Sequence, residues 1–221
     1  MLRVLFVLGF AASLAIPASA RGFDVNVSAP ATMPIGPQVE APYGFVDFCT
    51  RNPAPCRLHA TEITNIRLTP EHRATLERVN AEVNHLPQIT DLDNYGVVEY
   101  WSYPNKRGGD CEDLALEKQR RLVALGFPED ALLLAVVRQA NGEGHTVLVV
   151  ETDRGEFVLD NLNPSILAWA DVPYTWRKRQ SRLASGLWQS VDPDATRIAE
   201  ASKLSSQRDT TSAPLRSGTL R

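Results

Sequence analysis

The chain predicts an α+β fold, in which one long helix packs on an antiparallel sheet. Three observations carry this. Gly108-Gly109-Asp110 supplies a turn and a cap ahead of a run whose Leu114, Leu116, Leu122 and Leu125 form a buried side. Three β-type segments follow, at residues 131–138, 145–151 and 156–162. The last two are separated by Thr152-Asp153-Arg154-Gly155, which suits a hairpin turn and makes them antiparallel neighbours.

Residues 1–20 read as an export signal rather than as fold. Arg3 gives a positive start, residues 4–16 an apolar stretch, and Ala18-Ser19-Ala20 a small-residue cleavage site. The stretch is shorter than the roughly 20 residues a membrane span needs. The expected mature protein begins near Arg21 and is periplasmic or secreted, without stable membrane insertion. Residues 21–57 are rich in Pro, Ala and Gly and are expected to form an irregular arm. Within it Cys49 and Cys56 flank a loop containing Pro53 and Pro55. An oxidising compartment favours pairing them, which leaves Cys111 as the odd thiol. Two separate thiols, or a bridge to Cys111, are the alternatives.

A compact domain is expected over residues 58–201. Its first helix spans residues 70–85, with Thr69 as cap, Pro70 in the first turn and Leu76, Val79, Val83 and Leu86 as the apolar stripe. Residues 97–103 are aromatic and stop at Pro104. In the second helix Asp110 is read as the cap, with Asp113 three residues on as an acidic capping partner, and Gly126 and Pro128 end the element. Trp169, Tyr174, Trp176 and Trp188 are read as packing aromatics of a closing segment. Residues 202–221, rich in Ser, Thr and Arg, are expected to be a disordered tail.

Composition excludes some functions. The net charge of −3, with no long basic block, does not suit nucleic-acid binding. No Cys or His pairs stand at structural zinc spacing.

The chemistry gathers at Gly108-Gly109-Asp110-Cys111-Glu112-Asp113. A nucleophilic cysteine works as thiolate, and the first turn of a helix favours negative charge. The flanking carboxylates oppose it, since like charges disfavour ionisation. An imidazolium at His145 or a bound cation would neutralise them, and the acidic cluster predicts a calcium-like hard cation beside the thiol. His145 opens one strand of the hairpin and Asp160 ends the other, so a carboxylate can orient an imidazole there.

The block Gly-Gly-Asp-Cys111-Glu-Asp, with His145-Thr-Val-Leu and Val158-Leu-Asp160-Asn, resembles the bacterial transglutaminase-like cysteine proteinases over roughly residues 40–190. The resemblance implies a papain-like, transglutaminase-like core with a Cys111, His145 and Asp160 triad. The best understood relatives are periplasmic, calcium-dependent proteases that release a biofilm adhesin. It therefore implies a protein substrate, with a cell-surface adhesin as candidate, and calcium held by Asp110 and Glu112 with Asp113 as a further contributor. The expected function is an exported cysteine endopeptidase working through an acyl-enzyme. Transfer of the acyl group to an amine, as in a transglutaminase or amidase, is one alternative. A catalytically inactive module that binds through the acidic site is another.

Overall fold

Apolar side chains alternate between two faces along the middle of the chain, and this alternation builds a seven-stranded sheet. The structure, a computed structural model, describes residues 32–56 and 63–191. The expected signal at 1–20, the first part of the arm and the tail at 202–221 lie outside the described residues. The strands are β1 (Ile35–Val39), β2 (Leu132–Arg138), β3 (Gly144–Thr152), β4 (Gly155–Leu159), β5 (Leu167–Ala168), β6 (Thr175–Ser181) and β7 (Ala184–Val191). They lie in the order β1-β7-β6-β2-β3-β4-β5, with every neighbouring pair antiparallel. The helices are α1 (Tyr43–Arg51), α2 (Pro70–Asn84), α3 (Asp91–Tyr95) and α4 (Cys111–Ala124). The expected α+β fold, a helix on an antiparallel sheet, is the one found.

On one face Leu132, Leu134, Leu148, Val150 and Leu159 pack with Leu76, Val79 and Val83 of α2 and with Leu114, Leu116 and Leu122 of α4. On the other, Leu133, Ala135, Val137, Val147, Val149 and Val158 meet Met33, Trp169, Trp176 and Val191. A fully buried leucine stabilises the fold by about 1.5–3 kcal/mol, so these two clusters dominate the energetics. Leu125, expected on the buried side of the second helix, is 51% exposed. It lies at the C-cap, where the helix leaves the sheet.

Thr69 caps α2 as expected, its Oγ1 accepting from the N–H of His72 at 3.2 Å. Asp110 stands at the N-cap position of α4 but makes no capping bond. Its carboxylate accepts instead from the N–H of Asp91, and Asp113 accepts from the N–H of Ser102 at 2.6 Å. The two acids tie residues 91–102 to the helix start, a task the capping pattern did not foretell.

The arm expected to be irregular is folded from residue 35 on. β1 pairs with β7, and α1 buries Phe45 and Phe48. Phe45 meets Trp101 and Trp188 edge-on, with ring centroids 5.7 and 5.4 Å apart. The Cys49–Cys56 disulfide is present. The aromatic closing segment is the β6–β7 hairpin. Its charged run is accommodated in a strand because Arg179 is buried against Glu151 of β3 at 2.7 Å and Glu156 of β4 at 3.2 Å, both beyond the intervening β2. Among the described residues no helix is long and apolar enough to cross a membrane.

The disulfide closes a short loop, for which chain-entropy arguments give about 2 kcal/mol. Replacing Cys49 and Cys56 together by Ser is expected to lower unfolding free energy by about that much in a urea titration, with the denaturant slope equal or slightly raised as the unfolded chain loses its crosslink.

Candidate active site

A glycine pair sets the position of Cys111. Gly108 has φ 110°, and a Cβ there would collide with the Pro87 carbonyl. At Gly109 a Cβ would collide with the Asp113 side chain. The backbone is strapped to residues 87–89: Gly109 N–H donates to Pro87 O at 3.2 Å and Ile89 N–H to Gly109 O at 3.2 Å. This strap sets the start of α3 beside the start of α4. It brings Asp91 to Asp110.

Cys111 is the first residue of α4 and the one free cysteine of the described residues. Its Sγ donates to Glu112 Oε2 at 3.0 Å. Burial, then the charge and hydrogen bond of Glu112, push the thiol pKa well up, while the N–H of Thr146 bonds the sulfur and works the other way. The thiol is therefore held protonated by its own neighbour. Thr146 follows His145, so the sulfur lies at the end of β3 that carries the imidazole.

His145 is buried and its Nε2 lies 2.8 Å from Asp160 Oδ1. Asp160 follows β4 directly and also accepts from Leu162 N–H at 2.9 Å and Tyr174 OH at 2.6 Å. Burial alone would raise its pKa, but the hydrogen bonds from His145, Tyr174 and Leu162 outweigh this and hold it below the usual carboxylate range. The buried ammonium of Lys118 on α4 lies within electrostatic reach of Asp160. Burial pushes the Lys118 pKa down to about 7, against the pull of that carboxylate. From α2, Asn84 Nδ2 donates to the Asp160 carbonyl at 2.8 Å and Asn80 Nδ2 to the Pro164 carbonyl at 3.4 Å. The hairpin end is pinned from three elements.

The acidic cluster differs in part from the expected one. Oxygens of Asp91, Asp110 and Glu112 lie within 4.8 Å of one another. Asp113 faces away, onto Ser102, where its Oδ2 also takes the hydroxyl at 3.3 Å. Burial first, and then neighbouring carboxylates, raise the pKa of Asp110 to about 6 and of Glu112 to about 9. Burial and the charges of Asp110 and Asp91 raise Asp113 to about 8 despite its bonds to Ser102. Among the described residues Asp110 Oδ1 is buried without an N–H or O–H donor, and the carboxyl's further partner is that of Glu112. A shared proton or a cation satisfies such an oxygen. Three converging carboxylates suit a hard, oxygen-seeking cation such as calcium.

The sequence missed Asp91, Lys118, Asn80, Asn84 and the bond from Tyr174. Asn80 and Asn84 carried a signal, since they sit four apart beside the apolar stripe of α2. Asp91 carried none, because only the strap at Gly108-Gly109 brings it near.

An α+β core with a cysteine at the mouth of the sheet-packed helix, beside a buried His–Asp pair, defines a transglutaminase-like cysteine hydrolase. Residues 35–196 match the family described as bacterial transglutaminase-like cysteine proteinase BTLCP, and the chain belongs to that family. It is similar to calcium-bound LapG of Legionella pneumophila at 30% identity, covering 56% of this chain and 71% of that one, with a TM-score of 0.47. The EGTA-treated form of LapG matches at 29% identity over 57% of this chain and 70% of that one, with a TM-score of 0.46. No curated protein matches the chain.

Raised carboxylate pKa values carry a stability consequence. The folded protein holds protons on Asp110, Glu112 and Asp113 that the unfolded chain has released, so stability falls as pH rises through the interval between the two. In chelator, the melting temperature is expected to fall from pH 5 to pH 7, while above pH 7 Lys118, which the folded protein deprotonates before the unfolded chain does, offsets part of the fall. Glu112→Gln, which needs no ionisation, is expected to flatten that fall, as differential scanning calorimetry would read.

Proposed function

We propose that this cysteine proteinase is an exported endopeptidase in which Cys111 is the nucleophile, His145 the base and Asp160 the group that orients it. The carrying observation is the buried His145–Asp160 bond, 2.8 Å long, at the strand end whose next N–H bonds the Cys111 sulfur. Asp160 engages Nε2, which leaves Nδ1 to take the thiol proton. The thiolate then attacks a peptide carbonyl, the imidazolium protonates the leaving amine, and water releases the second product by the reverse proton path. Asp160 keeps the imidazole in one tautomer and stabilises its protonated form.

Asp91, Asp110 and Glu112 are the proposed ligands of a calcium ion, with Asp113 supporting the site through the Ser102 loop. When bound, the cation supplies positive charge that offsets the carboxylates opposing a thiolate. Glu112 then has two partners in competition, the thiol and the ligand set. LapG, which occurs in a calcium-bound form, is a relative in agreement with this. The peptidase domain is taken to begin with β1 rather than at residue 58, between a signal at 1–20 and a tail at 202–221. The disulfide suits an oxidising compartment, here the periplasm or the exterior. The substrate is a protein, and a cell-surface adhesin is the candidate class.

Comparing exported-protein termini between cells carrying the intact chain and Cys111→Ala tests this reading. New termini absent from the variant are expected. Identical sets of termini sink the peptidase, and isopeptide cross-links in their place favour acyl transfer. For the metal, titration calorimetry is expected to give one calcium site, weakened at least about a hundredfold in Asp91→Ala and in Asp110→Ala. Unchanged uptake in both would remove the site.

A further inference from the structure

We propose that Tyr174 is a positioning residue of this reaction, its hydroxyl fixing the free oxygen of Asp160 while its ring edge fixes the plane of His145. The inference rests on the reading of Cys111, His145 and Asp160 given above.

The two oxygens of Asp160 are held differently. Oδ1 takes His145 Nε2 at 2.8 Å and Leu162 N–H at 2.9 Å. Among the described residues Oδ2 has one hydrogen-bond partner, the Tyr174 hydroxyl at 2.6 Å. Without that bond the carboxylate can turn about its Cβ–Cγ axis, and the imidazole it orients turns with it. A tyrosine hydroxyl has a single proton, and here Asp160 takes it. Tyr174 therefore has no donor left for an oxyanion or a substrate group, so its part is played through Asp160.

The ring makes the second contact. Tyr174 meets His145 edge-on, with centroids 5.5 Å apart and planes at 66°. Tyr174 is half-buried, whereas the His145 and Asp160 side chains it touches are each 2% exposed. Tyr174 is itself braced, because its N–H donates to Val172 O at 2.9 Å and both Val172 and Trp176 are buried. Trp176 is in turn packed edge-on against Trp169, with centroids 6.3 Å apart. The charged and titratable groups around Asp160 are His145 from β3, Lys118 from α4 and Tyr174 from the segment entering β6. Lys118 contributes charge and Tyr174 contributes direction. Burial and the Asp160 charge hold the phenol protonated, as a donor must be.

The test needs no substrate. Cys111 is alkylated with iodoacetamide in excess calcium, and the His145 ring nitrogens are followed by NMR, in the intact protein and in Tyr174→Phe, Tyr174→Leu, His145→Ala and Asp160→Ala. Tyr174→Phe keeps the ring and is expected to slow labelling on the order of tenfold, the scale of one charge-assisted hydrogen bond. Its His145 Nε2–H signal is expected to move and broaden, which a packing role alone does not cause. Tyr174→Leu, lacking both contacts, is expected to be slower still. Labelling and His145 spectra in Tyr174→Phe equal to those of the intact protein, with Asp160→Ala slowed, would overturn the Tyr174 assignment and leave the triad standing. Intact Cys111 that resists labelling, or labels equally fast in His145→Ala, overturns the catalytic reading beneath it. Should Tyr174→Phe not fold, the Tyr174 Cζ resonance of the intact protein decides the matter. It must titrate in step with His145, and a flat response defeats the proposal.

Discussion

Acidic side chains are crowded around the thiol proposed as the nucleophile. Cys111 lies between Asp110 and Glu112, with Asp91 brought alongside by the backbone strap at the glycine pair. A helix N-terminus favours an anion by about 0.3–1 kcal/mol at an exposed site. That is small beside several buried carboxylates, and the sulfur shows the result by donating to Glu112. An outside positive charge would offset this crowding. The same crowding provides three oxygens able to bind one.

The other half of the site has the opposite character. Asp160 is buried and remains an anion because His145, Leu162 and Tyr174 donate to it and Lys118 lies near. Its geometry comes from three directions: a strand end, the α2 asparagines and the segment entering β6. Cys111 thus sits in a region short of donors, and His145 is anchored in one that is rich in them. The sheet end where Thr146 meets the sulfur is the seam between the two.

Much of this could be read along the chain where chemistry and periodicity agree. The α2 cap at Thr69, the hairpin at residues 152–155 and the order Cys111, His145, Asp160 follow from local patterns. What was not legible depends on contacts distant in sequence. Asp91 is an ordinary loop acid until Gly109 lies along Pro87. α1 was hidden by the prolines and glycines around it, and its reason to fold is the pair Trp101 and Trp188. The aromatics of the closing segment were legible, but the burial of Arg179 in β6 depends on Glu151 and Glu156, which are distant in sequence. Asp110 and Asp113 matched a capping pattern, yet tertiary partners won both side chains.

The strand order has a consequence for how the chain reaches this state. The β3–β4 hairpin joins segments close in sequence, whereas β1 must wait for β7, with Ile35 opposite Val191. Such pairing carries a large loop-closure entropy and places the slow step of assembly late. The sheet cannot close until nearly all of the described chain is available, and Tyr174 and Trp188 arrive only with that last portion. A nascent chain thus carries Cys111 long before it carries a finished site.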